Sequence, residues 1–150
     1  MKTKVWRWSN VPIPAQHLIA IALGIVLQII FKTEIFRSAI PGLSIGIPLI
    51  VFGTFVSVWA VIQARNHKME AHTRLLTNGP YRLSRNPMYV AWSTIHLGIG
   101  FSSNSVWIIV LLPLVALYTH FVDVIKEERI LVDKFGDEYA MYLKRVRRYF

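Results

Sequence analysis

The chain has 150 residues, enough for one domain, and is 54% hydrophobic with a mean hydropathy of +0.44, too apolar for an ordinary soluble domain. Its formal net charge is +9, and apolar runs between the basic segments turn the reading from a nucleic-acid partner to an anionic membrane surface. There is no cysteine, which excludes disulfides, thiolate metal sites, a nucleophilic thiol and cysteine lipidation.

The N-terminal arm carries Lys2, Lys4 and Arg7 without an acid, and Trp6 and Trp8 suit a membrane interface before Pro12 and Pro14. Apolar segments follow at about residues 15–31, 43–62, 88–101 and 106–122. A helix crossing the hydrocarbon needs roughly 20 apolar residues, so the first, second and fourth qualify. The first has no small-residue cleavage site and is followed by further spans, which argues against a signal peptide. The third is short and spans only by borrowing flanks, thinning the bilayer or packing inside a bundle. Residues 102–105, SSNS, make an uncharged turn, so the third and fourth segments form a tight hairpin. Pro113 is expected to kink the fourth.

The fourth helix is expected to run on to about Phe135 and stop at Gly136, with Asp137 capping a short helix through Tyr139, Tyr142 and Leu143 on the membrane or the bundle. Arg145, Arg147 and Arg148 would then face anionic headgroups, worth about 1 kcal/mol each. With four spans, 15 of the 17 Lys and Arg fall on the side of the termini and the 63–87 loop, which predicts that side to be cytoplasmic. The expected fold is all-α: a single polytopic membrane helix bundle of about four transmembrane helices over residues 1–150, with a cytoplasmic helical tail.

Two polar clusters flank this bundle. Residues 79–89 read GPYRLSRNPMY where the third segment enters the membrane, and Lys126-Glu127-Glu128-Arg129 lies just past the fourth. The hairpin puts both on one membrane face. Gly79-Pro80-Tyr81 reads as a turn, and Arg82 and Arg85 as snorkelling anchors. Asn86-Pro87 reads as N-cap and first helical residue, leaving N–H groups free for a carboxylate ligand. Gly98 and Gly100 permit close helix packing or leave room for a cofactor; they form no dinucleotide fingerprint. Glu127 and Glu128 read either as a solvated helix face or as carboxylates awaiting a cation. His96 and His120 suit interhelical hydrogen bonds. His67 and His72, five apart without partner ligands, predict no metal site.

Taken in order, Leu76 to Arg82, Arg85-Asn86-Pro87-Met88-Tyr89, Gly98, Gly100, Glu127-Glu128, Phe135 to Tyr139 and Tyr142 to Val146 resemble one family across about residues 72–148. The chain is similar to the integral-membrane methyltransferases that include isoprenylcysteine carboxyl methyltransferases and phospholipid N-methyltransferases. The resemblance implies an all-helical enzyme using S-adenosylmethionine on the cytoplasmic side. It points to Gly79, Pro80, Tyr81, Arg85, Asn86, Pro87, Tyr89, Gly98, Gly100, Glu127 and Glu128 as cofactor-binding residues, with Glu127, Glu128 and Asn86 nearest the chemistry. Many members carry histidine where Asn86 stands, and asparagine cannot act as a proton-transfer base near neutral pH. The acceptor stays open between an isoprenylcysteine-type carboxylate, a phospholipid amine headgroup and a small apolar thiol. Rival readings are a non-catalytic lipid-binding membrane protein and an NADPH-linked relative of sterol reductases.

Overall fold

The computed structural model describes residues 15–70 and 75–149, with the side chains of 67–70 left aside. The tryptophan-bearing arm, the His67 side chain and His72 lie outside the described residues. The element order is α1 (Ala15–Ile30), α2 (Ala39–Glu70), a 3₁₀ turn (Gly79–Arg82), α3 (Pro87–Ser102), α4 (Val106–Tyr118), a π-helical turn (Thr119–Val124) and α5 (Ile125–Arg145). The fold is all-helical: among the described residues there is one isolated β-bridge, between Glu34 and Ser105, and no strand.

Small residues set how closely the helices approach. Gly42, Gly46 and Gly53 on α2 meet Phe101, Gly98 and Ala91 on α3 in reversed order, so the two helices pack antiparallel. A Cβ on Gly53 would sit 2.8 Å from the Ala91 carbonyl oxygen, closer than packing permits. α1 lies antiparallel to α4. Gln16 Nε2 donates to Thr119 Oγ1 at 3.2 Å, and at the far end Ser105 Oγ donates to Gln28 at 3.0 Å. Gly24 meets Ile108 between them.

The α3–α4 turn is closed by Asn104. It takes a positive φ of 52° and bonds the backbone of Ile35 and Phe36 through its amide. Ser105 caps α4, accepting from the Ile108 N–H. In the bundle interior His17 and His96 share a hydrogen bond at 3.2 Å, and His96 Nε2 donates to the Ile108 carbonyl. That assignment makes His96 Nδ1 an acceptor and His17 Nδ1 the donor.

Much of the apolar surface faces outward: Ile29 is 77% exposed, Ile40 73% and Phe121 63%. Such a belt needs an apolar surrounding. Among the described residues two helices are long and apolar enough to cross a membrane, one within Ala39–Asn66 and one beginning at Val106. As described, α1 and α3 have 16 residues each, about 24 Å of rise. The predicted break in the tail is present. Gly136 leaves helical geometry at φ 46°, ψ −117°, so α5 is two helical pieces joined by a kink.

Candidate functional site

The site begins at the Asn78–Gly79 turn. Gly79 has φ +62°, where glycine is favoured, and a Cβ there would strike the Gln63 side chain of α2. The 3₁₀ turn follows, with Pro80 buried and the Leu83 and Ser84 N–H groups both donating to its carbonyl at 3.1 Å. Pro87 occupies the first helical position of α3. Asn86 takes the N-cap place, but its side chain makes no cap hydrogen bond. The amide instead donates to the Arg148 carbonyl at 3.1 Å.

That contact is part of a C-terminal strap. After α5 the chain turns extended at Val146 and runs back beside residues 84–86. Arg85 N–H donates to the Arg147 carbonyl at 3.0 Å, and Ser84 Oγ donates to the Arg148 carbonyl at 3.2 Å. Tyr142 donates to the Tyr81 carbonyl at 2.6 Å. Leu75, Tyr139, Tyr142 and Val146 form the small apolar core beneath, with Leu131 and Phe135 packed on it.

The two polar clusters therefore meet. Tyr89 Oη donates to Glu127 Oε1 at 3.0 Å. Glu128 lies between two arginines: Arg85 Nη1 is 3.1 Å from Oε1, and Arg148 grips the carboxylate through Nε (3.0 Å) and Nη2 (2.8 Å). The Arg85–Glu128 contact is an ion pair without hydrogen-bond alignment, and Arg85 Nε is buried with no hydrogen-bond partner. His120 Nδ1 bonds Tyr149 Oη at 2.8 Å, and its Nε2 lies 3.5 Å from Arg148 Nη1, too long for a strong bond. Glu127 has different surroundings, namely the neutral Tyr89 hydroxyl and the like charge of Asp123. Asp123 projects from the π-helical turn and accepts from Gln16 Nε2 of α1 at 2.7 Å. Burial, with the Glu127 charge adding to it, pushes the Tyr81 hydroxyl up to about 12, so it stays a neutral phenol at any physiological pH.

Of the residues singled out in the sequence, Gly79, Pro80, Tyr81, Arg85, Asn86, Pro87, Tyr89, Glu127 and Glu128 lie in this cluster or in the turn that shapes it. Gly98 and Gly100 do not. Gly98 packs on Gly46 and Ile50 of α2, and Gly100 on Ile108 and Ile109 of α4. Nine residues of helix put Gly98 about 13 Å along α3 from Tyr89. Here these two glycines serve helix contact, the close-packing reading of the pair.

Arg148 is corrected, since it turns inward to Glu128 rather than facing headgroups. Sequence reasoning also missed Asp123, Gln16 and Tyr149. Asp123 alone carried a signal, standing one turn before Glu127 at the end of the apolar run.

The donor set suits a ligand bearing both charges. The Arg85 and Arg148 guanidiniums would suit an anion, and Glu127 with Asp123 a cation. The amino-acid end of S-adenosylmethionine has this character, so the residues present fit that cofactor.

A family model described as phospholipid methyltransferase matches residues 42–138. The match reaches further toward the N-terminus than the motifs suggested, taking in α2, and ends before the strap. No curated protein and no solved structure matches the chain.

Proposed function

Because this chain belongs to the phospholipid methyltransferase family, and so to the membrane methyltransferases, we propose that it transfers a methyl group from S-adenosylmethionine to the amine headgroup of a membrane phospholipid. The observation that carries the reading is the meeting of the two clusters through Tyr89–Glu127 and Arg85–Glu128. Residues 38 and 43 positions apart in the chain build one mixed-charge site where the third apolar helix begins.

When bound, the cofactor supplies an electrophilic methyl on a sulfonium. Arg85 would hold its carboxylate and Glu127 its ammonium, with Tyr89 orienting Glu127. The rings of Tyr81 and Tyr89 can face the sulfonium, a cation–π contact of order 0.5–2 kcal/mol. Alignment of acceptor and donor is then the protein's main contribution.

An ammonium headgroup must lose a proton before it can attack. Asp123 lies nearer the apolar end of the fourth helix than Glu127, where a headgroup arriving from lipid meets it first. Its carboxylate is the base we assign, and Gln16 fixes its orientation. Two neighbouring carboxylates favour an amine acceptor over the carboxylate of a prenylated cysteine, which like charge would repel.

The two long apolar helices and the outward apolar belt support a bilayer location; the four apolar segments favour a four-span arrangement, and the distribution of basic residues favours cytoplasmic termini.

The test is methyl transfer in reconstituted vesicles. Protein in vesicles containing ethanolamine phospholipid, given labelled S-adenosylmethionine, should yield labelled lipid, and Asp123→Asn should lower kcat at least tenfold. Labelled prenyl-cysteine ester without labelled lipid would replace the amine acceptor with the carboxylate. No transfer to any lipid or prenyl acceptor would overturn the reading.

A further inference from the structure

We propose that Arg85 and Arg148 share Glu128 as a counter-ion and together form an oxyanion seat, so that the C-terminal strap is part of the binding site. The inference deepens the functional reading above and rests on this cluster being a ligand site. It reassigns Glu128: its carboxylate is engaged by both guanidiniums and is not left to hold a ligand's cation.

Two guanidiniums against one carboxylate leave an excess positive charge where the Arg85 and Glu128 side chains are only 11% and 16% exposed. An uncompensated cation is costly to bury. Arg85 Nε and Nη1 are enclosed without a well-aligned acceptor, and the group beside them is the Tyr139 hydroxyl, a neutral partner that leaves the guanidinium charge uncompensated. Arg148 spends two of its five N–H groups on Glu128 and has others to offer. Asn86 does not cap α3, because its amide is committed to the strap. The Met88 and Tyr89 N–H groups, the first in α3 after Pro87, therefore receive no cap from the Asn86 side chain. Each of these observations asks for the same completion: an oxyanion, either the carboxylate of the cofactor or the phosphate of the lipid.

The strap is anchored for this purpose. Three hydrogen bonds tie Arg147 and Arg148 to residues 84–86, and Val146 is buried. Arg148 lies beyond the family match, which ends at residue 138.

The experiment uses the full chain in uncharged detergent. Inorganic phosphate, compared with chloride at equal ionic strength, should raise the Tm by about 2–4 °C. Arg148→Gln should abolish most of that rise, and Arg148→Lys should restore part of it. S-adenosylhomocysteine and 5′-methylthioadenosine, which lacks the amino-acid end, then identify the source of the anion. If it is the cofactor carboxylate, Arg148→Gln weakens the first at least tenfold and leaves the second unchanged. If it is the lipid phosphate, both nucleosides bind as before and the KM rises at least tenfold for phospholipid but not for a phosphate-free long-chain amine.

A phosphate-induced Tm rise equal in wild type and Arg148→Gln would overturn the seat. A rise that depends on Arg148, in a protein that neither binds S-adenosylhomocysteine nor transfers methyl groups, would keep the seat and reject the methyltransferase reading.

Discussion

Glu128→Gln probes the junction on which the site's shape depends. The substitution keeps the size of the side chain but removes the charge shared by Arg85 and Arg148. The Arg85–Glu128 pair is nearly enclosed, and breaking such a pair from one side costs about 3–5 kcal/mol. Arg148 is 35% exposed, which lowers its share to about 0–1 kcal/mol. The amide retains some hydrogen bonding, so a net loss of about 3 kcal/mol is expected, or a fall in Tm of about 6–12 °C. Because Arg148 carries the strap, the same variant should expose the bonds after Arg147 and Arg148 to trypsin, read by mass spectrometry of the C-terminus. In the double variant Glu128→Gln/Arg148→Gln the combined loss should be smaller than the sum of the two single losses, since one contact is removed twice. A Glu128→Gln protein within about 0.5 kcal/mol of wild type, with an equally protected strap, would refute the shared counter-ion.

Further outcomes follow from the same contacts. Tyr89→Phe removes one hydrogen bond to Glu127 and should weaken S-adenosylhomocysteine binding by about 3–10-fold with little change in Tm. Gly98→Ala places a Cβ 2.8 Å from the Gly46 carbonyl oxygen, so Tm should fall by a few degrees, an overpacking cost of about 1–3 kcal/mol, while ligand affinity of the folded protein stays unchanged. A lost affinity at constant Tm would favour the cofactor role of that glycine. His96→Leu strips His17 of its partner and should cost about 1–3 kcal/mol in thermal stability without altering ligand affinity. The Tyr81 hydroxyl is raised in the folded state, so its contribution to stability is complete below pH 10 and is lost as pH rises toward about 12; Tyr81→Phe should flatten the fall in Tm across that window.

The helices were legible because apolar runs and their punctuation are local. Pro87, the SSNS turn and Gly136 each mark a boundary that the structure keeps. The coming together of residues near 85 and 127 was legible too, since a short hairpin leaves two antiparallel helices little choice. The strap was not. Arg148 and Arg147 look alike in sequence, and only the register of an extended segment beside Ser84–Asn86 decides which guanidinium turns inward. Asp123 was within reach of the sequence, standing one turn before Glu127, but its partner Gln16 on α1 lies 107 positions away and gave no local sign. Gly98 and Gly100 were legible as small residues, and the structure shows which neighbours use them: α2 at Gly98 and α4 at Gly100.

Titration of the purified chain with S-adenosylhomocysteine, in parallel with Glu127→Gln, tests most directly whether the joined clusters hold this ligand. Micromolar binding to wild type and at least a tenfold loss in the variant is the expected result. A wild-type protein that does not bind, or a variant that binds as well as wild type, contradicts the assignment.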